Sequence, residues 1–232
     1  MRSSTWRALG NTYRVVERGS APLAPHQARV LAAGADGVIE VVAERPGLVE
    51  IVIWNPDGSS AELSGNGTRI AASWHAARSG ATDIEVLTRD RVVTARVLES
   101  GEIEQDLGVV VVGSPETIDG VTFVPVSVGN PHAVVLGDPH EIERLGPLLE
   151  THPRFPDRTN VQVARIDGSG EVTARVWERG VGETPSSGTG AVAVAAATHR
   201  AGEVRVHFPG GDLLVRLVGG RAMLTGTAER AT

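Results

Sequence analysis

Two stretches of this chain are versions of one another. Trp54 to Gly67 reads W-NPDGSSAELS-GNG and Trp177 to Gly190 reads W-ERGVGETPSS-GTG, a gapless match at an offset of 123 residues. Earlier in each half, Gly10-Asn11-Thr12-Tyr13-Arg14-Val15-Val16 matches Gly129-Asn130-Pro131-His132-Ala133-Val134-Val135 at an offset of 119. Two related motifs in the same order and at nearly the same offset imply that one structural unit occurs twice.

The surroundings say what kind of unit it is. β-Branched runs at Leu48–Trp54, Asp83–Leu87, Val92–Leu98, Thr122–Val126, Val172–Trp177, Val204–Phe208 and Leu213–Val218, parted by Gly, Pro, Asp and Asn, read as strands. Gly67–Ser79, closed by Gly80, and Gly190–Ala201, closed by Gly202, suit helices. After each helix come a strand, a tight turn (Arg89-Asp90-Arg91 or Pro209-Gly210-Gly211) and another strand. The expected fold class is α+β, with two pseudo-symmetric, barrel-like β-rich domains, each around a central helix. The halves are 1–110, joined by a C-terminal strand at 222–232, and 111–221, with the boundary near Gly108–Ser114. If the halves face each other, their Ser-Gly-x-Gly turns meet across a shared cleft, a favoured place for ligands.

Composition narrows the chemistry. The 232 residues are 41% apolar, ordinary for a globule, and no run approaches the ~18 apolar residues of a membrane span. Met1-Arg2-Ser3-Ser4-Thr5-Trp6 has no apolar signal core, so the expectation is a cytoplasmic protein. A net charge of -6 argues against nucleic acid or anionic membrane as partner. All 22 basic residues are Arg, which removes Walker-type phosphate loops, Schiff bases and Ser–Lys dyads. With no Cys, disulfides, thiolate zinc sites and thiol catalysis are absent as well.

Ser64 and Ser187 each stand before Gly-x-Gly and a helix. Such a serine is a good N-cap, and the bare helix start favours a carboxylate. A single turn of this kind is more often only a cap. A symmetry-related pair, flanked by Asn11, Asn55, Asn130, Asn160, Glu178 and Arg179, reads instead as a site for a zwitterion. Arg179 can grip a carboxylate and Glu178 an ammonium group. The seven His lack metal-binding spacing, and Gly65-Asn66-Gly67 lacks the third glycine of a dinucleotide fingerprint. No metal or cofactor is therefore expected. His132 reads as a structural hydrogen bonder with a secondary chance of lining the site.

These residues resemble the diaminopimelate epimerase family over almost the whole chain. The signatures run in order: Leu9-Gly10-Asn11, Asn55-Pro56-Asp57-Gly58-Ser59, Ser64-Gly65-Asn66-Gly67-Thr68-Arg69 and Gly129-Asn130-Pro131-His132. They continue through Arg154-Phe155-Pro156-Asp157-Arg158-Thr159-Asn160, Glu178-Arg179-Gly180-Val181-Gly182-Glu183-Thr184, Gly188-Thr189-Gly190 and Pro209-Gly210-Gly211. The resemblance implies interconversion of LL- and meso-diaminopimelate, for lysine and cell-wall synthesis, without pyridoxal phosphate or metal. One cysteine takes the α-proton from one face and a second returns a proton to the other. By motif those positions are Ser64 and Ser187. Asn55, Asn160 and Arg179 match the residues holding the distal end of the substrate. Asn11, Asn130 and Glu178 match other polar groups of the site. The backbones of Gly65, Asn66, Gly188 and Thr189 match the carboxylate cradle. The expected partner is a small amino acid, and the family precedent suggests a homodimer.

Three departures stand out. Both cysteines are serine, Thr12-Tyr13 replaces the usual Asp-Phe, and Gly37 follows Asp36 where Gln is usual. A thiol of pKa ~8.5 can be tuned to thiolate at a helix N-terminus, whereas a serine hydroxyl needs a neighbouring base. Epimerisation by the Ser/Ser chain is accordingly expected to be very weak or absent. Three readings follow: a diaminopimelate epimerase with both bases replaced, a divergent isomerase or dehydratase, and a non-catalytic ligand-binding relative.

Overall fold

The computed structural model describes residues 2–61, 64–89 and 91–231. Glu62 and Leu63 of the first repeat copy, Asp90 of the Arg89-Asp90-Arg91 turn, and the terminal Met1 and Thr232 lie outside them. The fold is α+β, rich in strands, with four α-helices among the described residues, and it divides into two compact units. One comprises Met1–Asp106 with Thr225–Thr232, the other Leu107–Leu224.

In the first unit β1 (Ser3–Ala8) and β2 (Asn11–Glu17) form an antiparallel pair. Helix α1 (Pro25–Leu31) then carries the chain to β3 (Gly37–Arg45), parallel to β2. β3 turns back into β4 (Leu48–Trp54), which pairs with the short β5 (Ser60–Ala61). Next come α2 (Gly65–Ser79), β6 (Asp83–Leu87) parallel to β4, β7 (Val92–Val97) and β8 (Ile103–Val109).

The second unit repeats that scheme. After β9 (Val111–Val112) and β10 (Glu116–Ile118), β11 (Val121–Ser127) pairs antiparallel with β12 (Pro131–Leu136). A 3-10 turn and α3 (Ile142–Glu150) lead to β13 (Asn160–Gly168), parallel to β12. β14 (Glu171–Glu178) is antiparallel to β13, as is β15 (Gly182–Thr184) to β14. Then follow α4 (Gly188–His199), β16 (Gly202–Phe208) parallel to β14, β17 (Gly211–Val218) and β18 (Arg221–Gly226); the chain then re-enters the first unit, where β19 (Glu229–Arg230) pairs with β1. Register repeats as well as topology: Val38 faces Trp54 where Val161 faces Trp177, and both hairpins carry an irregularity in register.

Both central helices are buried on nearly every side, with Ile70, Ala71, Ala72 and Trp74 in α2 and the Ala/Val run 191–196 in α4. Small side chains in α4 let the surrounding strands approach on all faces, which explains a helix with no polar stripe. α2 ends as expected at Gly80, in the left-handed conformation at φ 73°. α4 stops at His199 rather than Ala201, because Arg200 already has φ 58° and Gly202 starts the next strand.

Helices α1 and α3 are additions to the two expected from the sequence. α3 is amphipathic, with Ile142, Leu145 and Leu149 buried against Phe123, Val135 and Val163. Its Gly146-Pro147 pair has the composition of a turn. The glycine is a packing requirement: a Cβ there would lie 2.7 Å from the Trp177 ring. Trp177 is fixed in turn by Nε1 donating to Glu150 at 2.7 Å. The first unit solves the same problem differently, with Trp54 Nε1 donating to the buried Glu40 at 3.0 Å. Each anchored Trp sets the direction of the loop that follows it.

Substituting Gly146→Ala is expected to lower unfolding stability by about 1–3 kcal/mol through overpacking against Trp177. Urea denaturation followed by Trp fluorescence checks this; an unchanged midpoint would contradict the packing argument.

Candidate active site

Ser64 and Ser187 are the N-caps of α2 and α4, both with extended backbone. Ser64 Oγ accepts the Gly67 N–H at 3.0 Å and Ser187 Oγ the Gly190 N–H at 3.2 Å. A Cβ on Gly67 or Gly190 would sit 3.2 or 3.0 Å from the capping serine's Cβ. Glycine at the third helical position therefore lets each hydroxyl lie over the helix start. Gly65, Asn66, Gly188 and Thr189 form those first turns and are buried.

Within the first unit, Asn11 opens β2 and its side-chain Oδ1 accepts a short hydrogen bond from Asn66 Nδ2. Asn66 Oδ1 accepts from Arg69 Nη2 at 2.6 Å, and Arg69 Nε donates to the Thr227 carbonyl at 3.0 Å. Arg69 is fully buried, and burial brings its pKa down to about 10. The buried amide of Gln105 meets Thr68 Oγ1 at 2.8 Å, bracing the same turn. Asn55 is occupied locally, its Nδ2 donating to Ser59 Oγ at 3.0 Å. Ser59 donates from N–H and hydroxyl to Asp57, holding that carboxyl below the usual range. The hydroxyl of Tyr13 lies 3.1 Å from Ser64 Oγ.

The second unit brings its predicted residues together more closely. Ser187 Oγ donates to Glu178 Oε2 at 3.2 Å, while Glu178 Oε1 accepts from Thr184 at 2.7 Å. Asn160 Oδ1 accepts the Arg179 N–H at 3.0 Å, and its Nδ2 donates to the Pro131 carbonyl at 2.9 Å. The Arg179 guanidinium rests on the Asp157 carbonyl at 3.3 Å. Asn130 meets Thr189 at 3.4 Å and His132 Nε2 at 3.0 Å, and His132 Nδ1 lies 3.2 Å from the buried Gln162. Burial pushes the His132 pKa down to about 4; the Gln162 contact opposes the shift and the nearby Arg179 charge assists it. His132 is thus a neutral structural group at neutral pH.

The sequence reading assigns no role in the site to Tyr13, Arg69, Gln105 or Thr184, although Tyr13 stands out as a departure and Arg69 and Thr184 lie within the signatures. Tyr13 also aligns with His132 in the internal repeat. Among the described residues, no group of three or more His, Asp or Glu is placed to hold a metal, and no helix is long and apolar enough to cross a membrane.

The family model for diaminopimelate epimerase matches residues 124–231. A diaminopimelate epimerase from Desulforudis audaxviator is 37% identical over 87% of this chain and 84% of its own length. The chain belongs to the diaminopimelate epimerase family, a family of isomerases. Another diaminopimelate epimerase, from Sphingopyxis alaskensis, is 33% identical over 99% of this chain and 94% of its own. Among solved structures, a predicted epimerase from Pseudomonas aeruginosa superposes with a TM-score of 0.75 at 16% identity, covering 100% of this chain and 97% of that one. A hydroxyproline epimerase from Agrobacterium vitis, solved with trans-4-hydroxy-L-proline, gives 0.67 at 15% identity, covering 99% and 88%. Both share the fold of this chain.

The depressed His132 pKa has a consequence for stability. Between about pH 6.5 and 4 the unfolded chain protonates this imidazole and the folded chain does not, so stability falls as pH drops through that window. The loss approaches about 3 kcal/mol and is absent above pH ~7. Urea titrations across that window should show this slope flattened in His132→Gln; an identical slope in the variant would contradict the assignment.

Proposed function

We propose that this chain is a serine-based diaminopimelate epimerase, slower than a thiol enzyme but equipped for the same two-face proton transfer. The observation that carries the reading is the hydrogen bond from Ser187 Oγ to Glu178. A helix N-terminus alone cannot ionise a serine, which needs a base beside it. Glu178 is that base, steered by Thr184 on its other oxygen.

In this reading Ser187 takes the α-proton of one stereoisomer while its own hydroxyl proton passes to Glu178, and Ser64 returns a proton to the opposite face. The α-carboxylate lies on the N–H groups around Gly65, Asn66, Gly188 and Thr189, where two helix starts stabilise charge building up at the α-carbon. Asn55, Asn160 and Arg179 hold the distal end, and Asn11 and Asn130 complete the polar lining. The substrate assignment is supported by relatives named as diaminopimelate epimerases at 33–37% identity. No cofactor takes part; the proposed form is a cytoplasmic homodimer.

Incubation with LL- or meso-diaminopimelate in D2O, read by NMR, tests this. The chain as it stands should exchange the α-hydrogen, and Glu178→Gln and Ser187→Ala should each lower the rate by about 10²-fold or more. Ser64→Cys combined with Ser187→Cys should raise it. A correctly folded double-cysteine variant without exchange would overturn the reading.

A further inference from the structure

We infer that Tyr13 is the positioning residue that keeps Ser64 supplied with the proton it donates, and that Gly37 exists to seat it. The inference rests on the functional reading above and concerns the half of the reaction which Glu178 does not serve.

The geometry begins in the sheet. Tyr13 on β2 and Gly37 on β3 are direct partners in the parallel pairing. A Cβ at Gly37 would stand 2.7 Å from Tyr13 Cε1, 3.1 Å from Cδ1 and 2.7 Å from the Trp54 carbonyl. The tyrosine ring therefore occupies the space of the missing side chain. Laid flat there and buried, it ends with its hydroxyl 3.1 Å from Ser64 Oγ.

The proposed relay gives the two serines opposite polarity. A hydroxyl has one proton and two lone pairs. Ser64 Oγ accepts the Gly67 N–H and lies 3.1 Å from the Tyr13 hydroxyl, a contact in which either oxygen can donate; in the proposed relay the phenol donates and the Ser64 proton is left to give away. Ser187 accepts the Gly190 N–H and spends its proton on Glu178, so a lone pair is left to receive one. The partners come from non-equivalent places in the repeat. Tyr13 corresponds to His132, which is turned to Asn130 and Gln162; Glu178 corresponds to Asn55, which is turned to Ser59. Each unit thus uses one of the two partner positions, and the two units use different ones.

Acidity gives the phenol its task. Its ordinary pKa of ~10 lies between that of a thiol and that of an alkanol, so it can refill a serine oxygen that would otherwise be left as an alkoxide. As the new Cα–H bond forms with the Ser64 hydroxyl proton, the Tyr13 O–H breaks, its proton moves to Ser64 Oγ, and a phenolate remains. Water returns the proton between turnovers, and the reverse reaction runs the same transfers backwards.

Tyr13→Phe removes only the hydroxyl. It should lower α-hydrogen exchange of diaminopimelate by about tenfold or more with KM little changed, and abolish the alkaline limb of the pH profile. Adding Ser64→Cys to that variant should restore exchange, because a thiol needs no phenol to supply it. Tyr13 is the sole tyrosine, so its ionisation can be followed without background by ultraviolet difference absorbance. Ser64→Ala should shift that titration. Exchange and pH profile unaltered in Tyr13→Phe, or a tyrosine titration indifferent to Ser64→Ala, would overturn the relay alone. A wild-type chain that exchanges neither diaminopimelate isomer would instead overturn the functional reading, and the relay with it.

Discussion

Each unit depends on one short contact: a capping serine whose hydroxyl lies over the backbone N–H of a glycine three residues on. That contact starts the buried helix, satisfies one of its orphan donors and holds an oxygen at the positive end of the helix dipole. Any side chain at Gly67 or Gly190 would press on the serine at 3.0–3.2 Å. Cap, helix and reactive hydroxyl are therefore fixed by the same few atoms. What varies is the group placed on the far side of the oxygen, and there the two units part: a carboxylate for Ser187, a phenol for Ser64.

Much of this was legible from residue order. The repeat follows from side-chain spacing that a shared backbone imposes, so the doubled strand–helix–strand scheme and the capping serines could be read directly. Asn160, Arg179, Glu178 and Ser187 converge because the strand ends at Asn160 and Glu178 lie side by side in β13 and β14 and the anchored Trp177 aims the loop beyond them. Helix α3 escaped a sequence reading because Gly146-Pro147 has the composition of a turn, whereas tertiary packing against Trp177 requires the glycine. Tyr13 escaped for a related reason. Its meaning depends on the cross-strand partner Gly37, 24 residues away in sequence, and on the direction of its ring. The spacing that links them is a property of the sheet.

The base proposed for Ser187 was likewise not legible as one in the sequence. Sequence alone offers Glu178 as an ammonium ligand, a reasonable role for a carboxylate in an amino-acid site. In the fold its two oxygens accept from Thr184 and Ser187, the arrangement on which the proposed proton transfer rests. The sequence expectation of very weak or absent epimerisation considers the serines without their partners. With Glu178 and Tyr13 beside them, the proposed account is a slower enzyme, in which these partners offset part of the reduced acidity of oxygen.

The central claim is that proton removal and proton return are performed by separate groups. Early-time isotope analysis in D2O tests it most directly. Starting from unlabelled LL-diaminopimelate, the account predicts deuterium in the meso product while recovered LL-isomer stays unlabelled. Equal labelling of recovered substrate and product from the first time points would mean a single exchanging group, and would contradict it.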